Sequence, residues 1–461
     1  MLRDRYDPVN LFALVPALGV AMDPVLAQLD QLLEDDMLFQ AVRADLARRF
    51  PRTPTEGRPS TPVEVILRLL IVKHLYSWSY EETEHFVADS LVLRQFCRIY
   101  AERVPDDTTL LRWANLLQPE TLHRLLEYVV LRARALRVTR GRKLRLDGTV
   151  VETNIHFPSD STLLCDAVRV LSRTLARAEP TLSAAAVPPE AFRDRTRSAK
   201  RQMRRIMHAV RRRGDEAGRA LRTAYRRLLA IAAASVRQAA QVRAALREHA
   251  TPAGQRLRAR LERLAPVVAQ VVTQSVRRVL RGEAVPAGEK LVSLFEPHTA
   301  VVRKGKLSRP TEFGRVVWLD EVDGGLISRY AVLEGNPPEA AQLESSLQHH
   351  YSLFAHPPCL LAADRGVFSP ANERAAQERG VKRVVLPKPG AKSAGRIAHE
   401  RRPWFRRGCH WRAGIEGRIS GLKRRHGLRR CLYHGGDGME RWVGWGILAH
   451  NLRTIARRCA A

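Results

Sequence analysis

Three acids in this sequence fall where a chain can do chemistry. Asp147 follows Lys143-Leu-Arg-Leu146, an alternating run that reads as a strand with a wet Lys143/Arg145 face and a dry Leu144/Leu146 face, stopped by Asp147-Gly148. Asp364 ends Pro358-Cys-Leu-Leu-Ala-Ala-Asp364, a continuous apolar run typical of a strand buried on both faces, with Gly366 just behind it. Glu416 lies in a glycine-containing helical stretch, 411–423. Between 396 and 430 there are 12 Arg+Lys and one other acid, Glu400. Each has an ordinary reading: Asp147 as a turn or cap residue, Glu416 as the partner of Arg412 one helical turn earlier. Together they read differently. Two acids close strands that can lie side by side, at the rim where open α/β sheets collect their chemistry, and a third arrives on a later helix. Three such carboxylates are a natural ligand set for two Mg²⁺ ions, hard cations that keep open positions for phosphate. A pair about 3.5–4 Å apart can activate the attacking oxygen and stabilise the leaving one in an in-line displacement at phosphorus.

The bulk composition points to the same substrate class. Lys and Arg number 78 against 47 Asp and Glu, a net charge of +31. That excess favours a polyanionic partner, whose condensed counterions are released as phosphates are neutralised. Arg outnumbers Lys, which suits bidentate phosphate contacts. At 461 residues and 45% hydrophobic, the chain has room for two or three domains with real cores. No run of about 18 uncharged apolar residues could span a membrane. The start, Met1-Leu-Arg-Asp-Arg-Tyr-Asp-Pro8, has no export signal, so a cytoplasmic location is expected. Cysteines at 97, 165, 359, 409, 431 and 459 are too scattered for a disulfide framework. Cys409-His410 with Cys431 and His434 lacks the paired Cys-x-x-Cys of a zinc site and reads as packing or surface residues.

The elements that would position the acids follow from periodicity and turn signals. Residues 1–60 form an N-terminal arm and linker, with an apolar patch at Leu11–Leu18, a helical pattern near 23–48, and Pro51, Pro54, Gly57, Pro59 and Pro62. Residues 61–135 form an all-helical candidate DNA-binding domain. Ser79 and Glu82 make a capping-box pattern there, and Asp107 caps a helix whose first turns carry Arg112. A helix-turn-helix would look like this, and so would a plain helical bundle. The first strand falls within 136–157. A basic helical insertion follows over 158–292. One 4-3-4-3 seam runs through Met203, Met207, Val210, Gly214, Ala217, Leu221, Ala224, Leu228 and Ile231; a second runs through Leu257, Leu261, Leu264, Val268 and Val272. The break at Thr251-Pro-Ala-Gly254 folds the two into a helical hairpin with a basic outer face, for dimerisation, for gripping phosphates, or for both. Residues 293–461 supply a strand hairpin turning at Glu321-Val-Asp-Gly-Gly325, a helix to about Ser352, the strand ending at Asp364, a helix over 370–380, a strand over 382–386, a loop over 387–396 and the last helical block.

Three blocks now carry a family resemblance. Asp147-Gly-Thr-Val-Val-Glu-Thr-Asn154, Ala363-Asp364-Arg-Gly366 and Arg412-x3-Glu416-x6-Lys423 resemble those of bacterial insertion-sequence transposases with an Asp-Asp-Glu triad. The likeness extends from the helical N-terminal region to Cys459. It departs at Cys409, where the family often has a Tyr. It implies an α/β ribonuclease H-like catalytic domain with an all-α N-terminal domain and a long α-helical hairpin insertion. Asp147, Asp364 and Glu416 would be catalytic and would ligate two Mg²⁺, with Mn²⁺ able to substitute. Arg412 and Lys423 would reach transposon-end DNA. The partners would be double-stranded DNA, both ends and target, and a second copy of the chain once DNA is bound, in the nucleoid. The implied reaction is cleavage at the element's end to a 3′-OH, then attack of that hydroxyl on target DNA. A catalytically inactive DNA-binding relic or repressor, a ribonuclease H-like nuclease without strand transfer, and a coiled-coil scaffold are the alternatives.

Overall fold

The computed structural model describes residues 1–6, 21–49, 56–182, 187–247, 251–303 and 310–460. The expected apolar patch at Leu11–Leu18 and the prolines at 51 and 54 lie outside these residues. The described residues form a mixed α/β structure, mostly helical, with a mixed sheet. It divides into two compact units, Met1–Glu152 with Arg315–Ala461, and Thr153–Gly314. The divisions read from the sequence, at 157/158 and 292/293, are therefore displaced to 152/153 and 314/315.

Among the described residues the first unit opens with seven helices, α1 (Pro24–Leu32), α2 (Asp36–Ala47), α3 (Val63–Tyr76), α4 (Tyr80–Asp89), α5 (Leu91–Phe96), α6 (Asp107–Ala114) and α7 (Pro119–Ala135). Their starts are chemically specified. Ser79 Oγ accepts from the Glu82 N–H at 3.0 Å while Glu82 accepts from the Ser79 N–H at 2.7 Å, the capping box expected for α4. The cap of α6 is Asp106 rather than Asp107: Asp106 Oδ1 accepts from the Thr109 N–H at 2.7 Å, and Asp107 becomes the first helical residue. Helix α3 is buried on nearly every face, Arg68 and Lys73 included. Arg68 donates from Nε and Nη1 to Asp30 (2.5 Å), Glu64 (3.2 Å) and the Phe96 carbonyl (2.9 Å). Strand β1 (Lys143–Thr153) then follows.

The second unit contains α8 (Asp160–Ala178), α9 (Thr196–Val210), α10 (Asp215–Ala245), α11 (Pro252–Ser275) and the short strand β2 (Ala300–Val302). Here the two helices of the expected hairpin, α10 and α11, do pack on each other, but α8 and α9 join them, with α8 and α10 each touching the other three. Helix α8 starts at the Ser159/Thr162 capping box and buries Leu163, Leu164, Val168 and Leu171. The first seam does not run through as one helix. Gly214, at φ +101°, separates α9 from α10, and α9 buries Ala199, Gln202, Ile206 and Ala209 instead, leaving Met207 and Val210 exposed. The seam is kept in α10 at Ala224 and Leu228, and the second seam in α11 at Leu261 and Val268. Arg197, Lys200, Arg201, Arg204 and Arg205 of α9 are all exposed.

The chain completes the first unit with β3 (Glu312–Val322), β4 (Leu326–Leu333), α12 (Leu343–Phe354), β5 (Leu360–Ala362), α13 (Pro370–Glu378), β6 (Arg383–Val385), α14 (Ala394–Arg401), α15 (Pro403–Arg425), β7 (Arg430–Cys431) and α16 (Gly435–Cys459). The sheet order is β3-β1-β5-β6, with β4 beside β3 and β7 beside β1. β1, β5 and β6 run parallel, and β3 and β4 form an antiparallel hairpin turning at Gly324 and Gly325, both at positive φ. Helix α16 is buried nearly all round and packs against α1, α3, α7 and β4. The N-terminal helices and the sheet thus share one hydrophobic core. An all-round apolar helix needs cover on every side, and α3 finds part of that cover on α16. Lys73 seals the contact: its Nζ lies 4.6 Å from the Tyr80 ring, 5.5 Å from Tyr433 and 5.3 Å from Trp442, and burial pulls its pKa down to about 8.

Candidate active site

Strand register brings the first two acids together. β1 and β5 pair in parallel with Lys143 opposite Leu360 and Arg145 opposite Ala362, so two residues further on Asp147 stands abreast of Asp364. The sequence reading that Asp147 ends its strand is corrected here. β1 runs on to Thr153, burying Val150 and Val151, and it is β5 that stops, at Ala362. The opening lies where the neighbouring strand has ended. Asp364 leaves β5 as the cap of a short 3₁₀ turn, its Oδ1 accepting from the Arg365 N–H at 2.7 Å. Asp147 Oδ1 accepts from the Gly148 N–H at 2.8 Å, which leaves Oδ2 for contacts beyond the strand.

Helix α15 brings the third acid, and a buried ion cluster fixes the helix. Of the expected wet face of β1, Lys143 is exposed but Arg145 is buried, donating to Glu321 on β3 at 2.9 and 2.6 Å and to the Trp411 carbonyl of α15. Its guanidinium also lies 4.8 Å from the Trp411 ring centroid. Arg418 of α15 donates to the same Glu321 at 3.2 Å. The two arginines therefore tie α15 to β1 and β3 through one carboxylate. The glycines of α15 now have a reason. A Cβ on Gly408 would come within 2.5 Å of Val385 on β6, and one on Gly414 within 2.6 Å of Arg145. Both admit the close approach of helix to sheet.

The result is a cluster built around one guanidinium. Arg412 Nη2 lies 3.0 Å from Asp147 Oδ2 and 3.8 Å from Asp364 Oδ2, and its Nη1 lies 3.3 Å from Glu416 Oε1. The structure thus gathers Asp147, Asp364 and Glu416 from a strand, a strand-end turn and a helix onto a single cation. Asp147 and Arg412 are 14% and 18% exposed, whereas Asp364 and Glu416 are 48% and 69% exposed, so the cluster is closed on the β1 side and open on the other.

Two oxygens from different strands converging on one cationic nitrogen are a donor set that suits a hard cation. The third acid is reached across the guanidinium. Among the described residues no group of three or more His, Cys, Asp or Glu side chains is close enough to hold one ion in this state. Glu339, part-buried in the 3₁₀ turn before α12, is a site acid that the sequence reading does not single out. A Cβ on Gly366 would lie 2.8 Å from its carboxylate, and one on Gly148 would lie 3.4 Å from it. The glycine shortly after each aspartate therefore makes room for a fourth carboxylate. The only sequence signal of this is the Gly at both places.

The remaining expected site residues lie on α15 and α6. Lys423 is part-buried near the end of α15, two turns beyond Glu416, about 10 Å along the axis. Arg112 is exposed on α6 and donates to Thr108 Oγ1 at 3.3 Å. Cys409 packs beside Ala362, Val385 and Phe405, and burial raises its thiol pKa. No helix among the described residues is long and apolar enough to cross a membrane.

No curated protein and no solved structure matches the chain. The match that exists covers α1 to α6 and two residues beyond, and includes Arg112. Residues 19–116 fit the family model described as Transposase domain (DUF772), a match that supports an insertion-sequence transposase.

Proposed function

We propose that this transposase is an Asp-Asp-Glu enzyme with a ribonuclease H-like catalytic unit. It binds the terminal inverted repeats of its element, cleaves DNA there in a Mg²⁺-dependent step and joins the exposed 3′-OH to target DNA. The observation that carries this reading is the single guanidinium lying within 3.8 Å of Asp147, Asp364 and Glu416. Three carboxylates from separate parts of the chain share one small volume, and that volume already accommodates positive charge. Two Mg²⁺, or Mn²⁺ in their place, would supply the Lewis acidity that activates an attacking oxygen and stabilises a leaving one.

The chain's own residues do the rest. Asp147, the most enclosed of the three acids, anchors the site on β1; Asp364 and Glu416 offer their more exposed oxygens toward the open side. Arg145, Glu321 and Arg418 hold α15 on the sheet so that Glu416 keeps its place. Lys423 on the same helix, the exposed bases of α9 and Arg112 on α6 present positive charge to double-stranded DNA. Joining two ends requires at least two copies on DNA.

The test uses a duplex carrying the repeats that flank the reading frame, with Mg²⁺. Asp147→Ala, Asp364→Ala or Glu416→Ala should each lower end cleavage by at least about 10³-fold, a loss of about 4 kcal/mol of transition-state stabilisation, with end binding within a few-fold of wild type. Full cleavage by any one variant removes that residue from the site. Products joined to a second duplex separate a transposase with strand transfer from a nuclease that stops at cleavage.

A further inference from the structure

We propose that Arg412 is a built-in counter-ion: it occupies the carboxylate cluster in the metal-free protein and has to leave before divalent cations bind. The inference rests on the reading of Asp147, Asp364 and Glu416 as metal ligands, and goes beyond it by giving Arg412 a role that the cluster alone does not require. The cluster holds three acids and one base. Without Arg412, three carboxylates would repel one another at short range, and the partly enclosed Asp147 would face that repulsion with little help from water. The planar fork of an arginine spans all three acids, where a lysine would offer one point charge.

The guanidinium and a divalent cation compete for the same oxygens. A Mg²⁺ ion sits about 2.0–2.1 Å from its oxygens, and Nη2 lies against the same Oδ2 atoms of Asp147 and Asp364 that would face such an ion. A divalent cation drawn to those oxygens meets the positive charge of the guanidinium at short range, so metal entry works against the Arg412 contacts. The geometry leaves a way out. Asp364 and Glu416 are 48% and 69% exposed, so the side of the cluster that they form is open to solvent. A displaced guanidinium swings to where a DNA phosphate would lie. DNA that captures Arg412 should therefore raise metal affinity, and metal should raise DNA affinity by the same factor, since coupling between two binding sites is reciprocal. Metal loading is thereby tied to the presence of DNA.

The test reads metal binding rather than cleavage. Free Mn²⁺ is followed by electron paramagnetic resonance as it is titrated into the full-length protein without DNA. Arg412→Gln should bind Mn²⁺ at least tenfold tighter than wild type, with Arg412→Lys between them. A non-specific duplex should tighten Mn²⁺ binding by wild type and leave Arg412→Gln unchanged. The melting temperature gives an independent readout: Arg412→Gln should melt lower than wild type without metal and show the larger rise when Mn²⁺ is added. Equal or weaker Mn²⁺ binding by the Gln and Lys variants overturns the counter-ion role. If Asp147→Asn and Asp364→Asn weaken Mn²⁺ binding in both the wild-type and Arg412→Gln backgrounds, the metal-ligand reading stands whatever Arg412 does. If they change it in neither, that reading falls along with the proposal. Should Arg412→Gln fail to fold, Arg412→Lys, which keeps the charge but cannot span three acids, decides the question alone.

Discussion

Two helices of this protein are rich in arginine, and only the second turns part of it inward. In α9 the bases at 197, 200, 201, 204 and 205 all face solvent, and the helix contains no acid. In α15, Arg412 and Arg418 turn inward, onto the carboxylate cluster and onto the buried Glu321. Net charge counts both sets alike, but only the first is an outward surface for a polyanion. The second is internal structure: it sets where Glu416 stands and what sits among the acids. A +31 chain is thus less uniformly a phosphate binder than its composition implies, since part of its arginine is used to build the site.

The contrast between the two helices breaks most sharply at Glu321. This carboxylate is 1% exposed and accepts from both Arg145 and Arg418. Glu321→Gln keeps the shape but leaves a buried arginine without its counter-charge, a change that costs about 3–5 kcal/mol. Chemical denaturation of the first unit should show that loss. Mn²⁺ binding should weaken with it, because α15 is no longer tied to β3. An unchanged denaturation midpoint would mean that α15 is held by packing alone.

A smaller effect tests whether the inward arginines also set the protonation of their surroundings. His450 on α16 lies against the Gly325 carbonyl at 3.1 Å. Burial first, then the nearby positive charge of Arg418, lowers its pKa to about 3. A histidine whose folded pKa lies below its unfolded value of about 6.5 contributes stability that is fully present above pH 6.5 and is lost as the pH falls toward 3. By pH 5 the loss is roughly 2 kcal/mol for this one group. His450→Gln, which can still donate to Gly325, should flatten the stability profile between pH 7 and 5 by about that amount. A profile as steep as wild type would place the acid sensitivity elsewhere, with His350 and His426, both lowered to about 4 mainly by burial, the next residues to replace.

How much of this is legible in the sequence depends on the range of the interaction concerned. The capping box at Ser79, the hairpin at Gly324-Gly325 and the helices after Pro370 and Thr251 are set by neighbouring residues, and their signals are plain. The three acidic positions can be named because turn chemistry and charge isolation mark them locally. The cover over β1 cannot be read in that way. Lys143 and Arg145 alternate with leucines as a solvent face would, and only the distant Glu321 and Trp411 make Arg145 a core residue. The same holds for α9, whose apolar spacing extends a seam on paper, while in the fold Gly214 restarts the helix on another face. Glu339 escapes notice because nothing within its own segment distinguishes it from a surface acid; the glycines that make room for it, Gly148 and Gly366, belong to other segments of the chain.

The smallest effect is expected on the outward side. Arg204→Gln on α9 removes one exposed charge and no packing, so stability should change by less than about 0.5 kcal/mol. Its signature lies in the salt dependence of DNA binding. Removing one phosphate partner should reduce the slope of log K against log salt by about 0.9, nearly equally for specific and non-specific duplexes. Arg418→Gln should do the reverse, costing stability while leaving that slope unchanged, because Arg418 is turned onto Glu321 inside the protein rather than toward a phosphate. If both substitutions lower the slope alike, the inward and outward arginines are equivalent toward DNA, and the distinction between the two helices does not survive in solution.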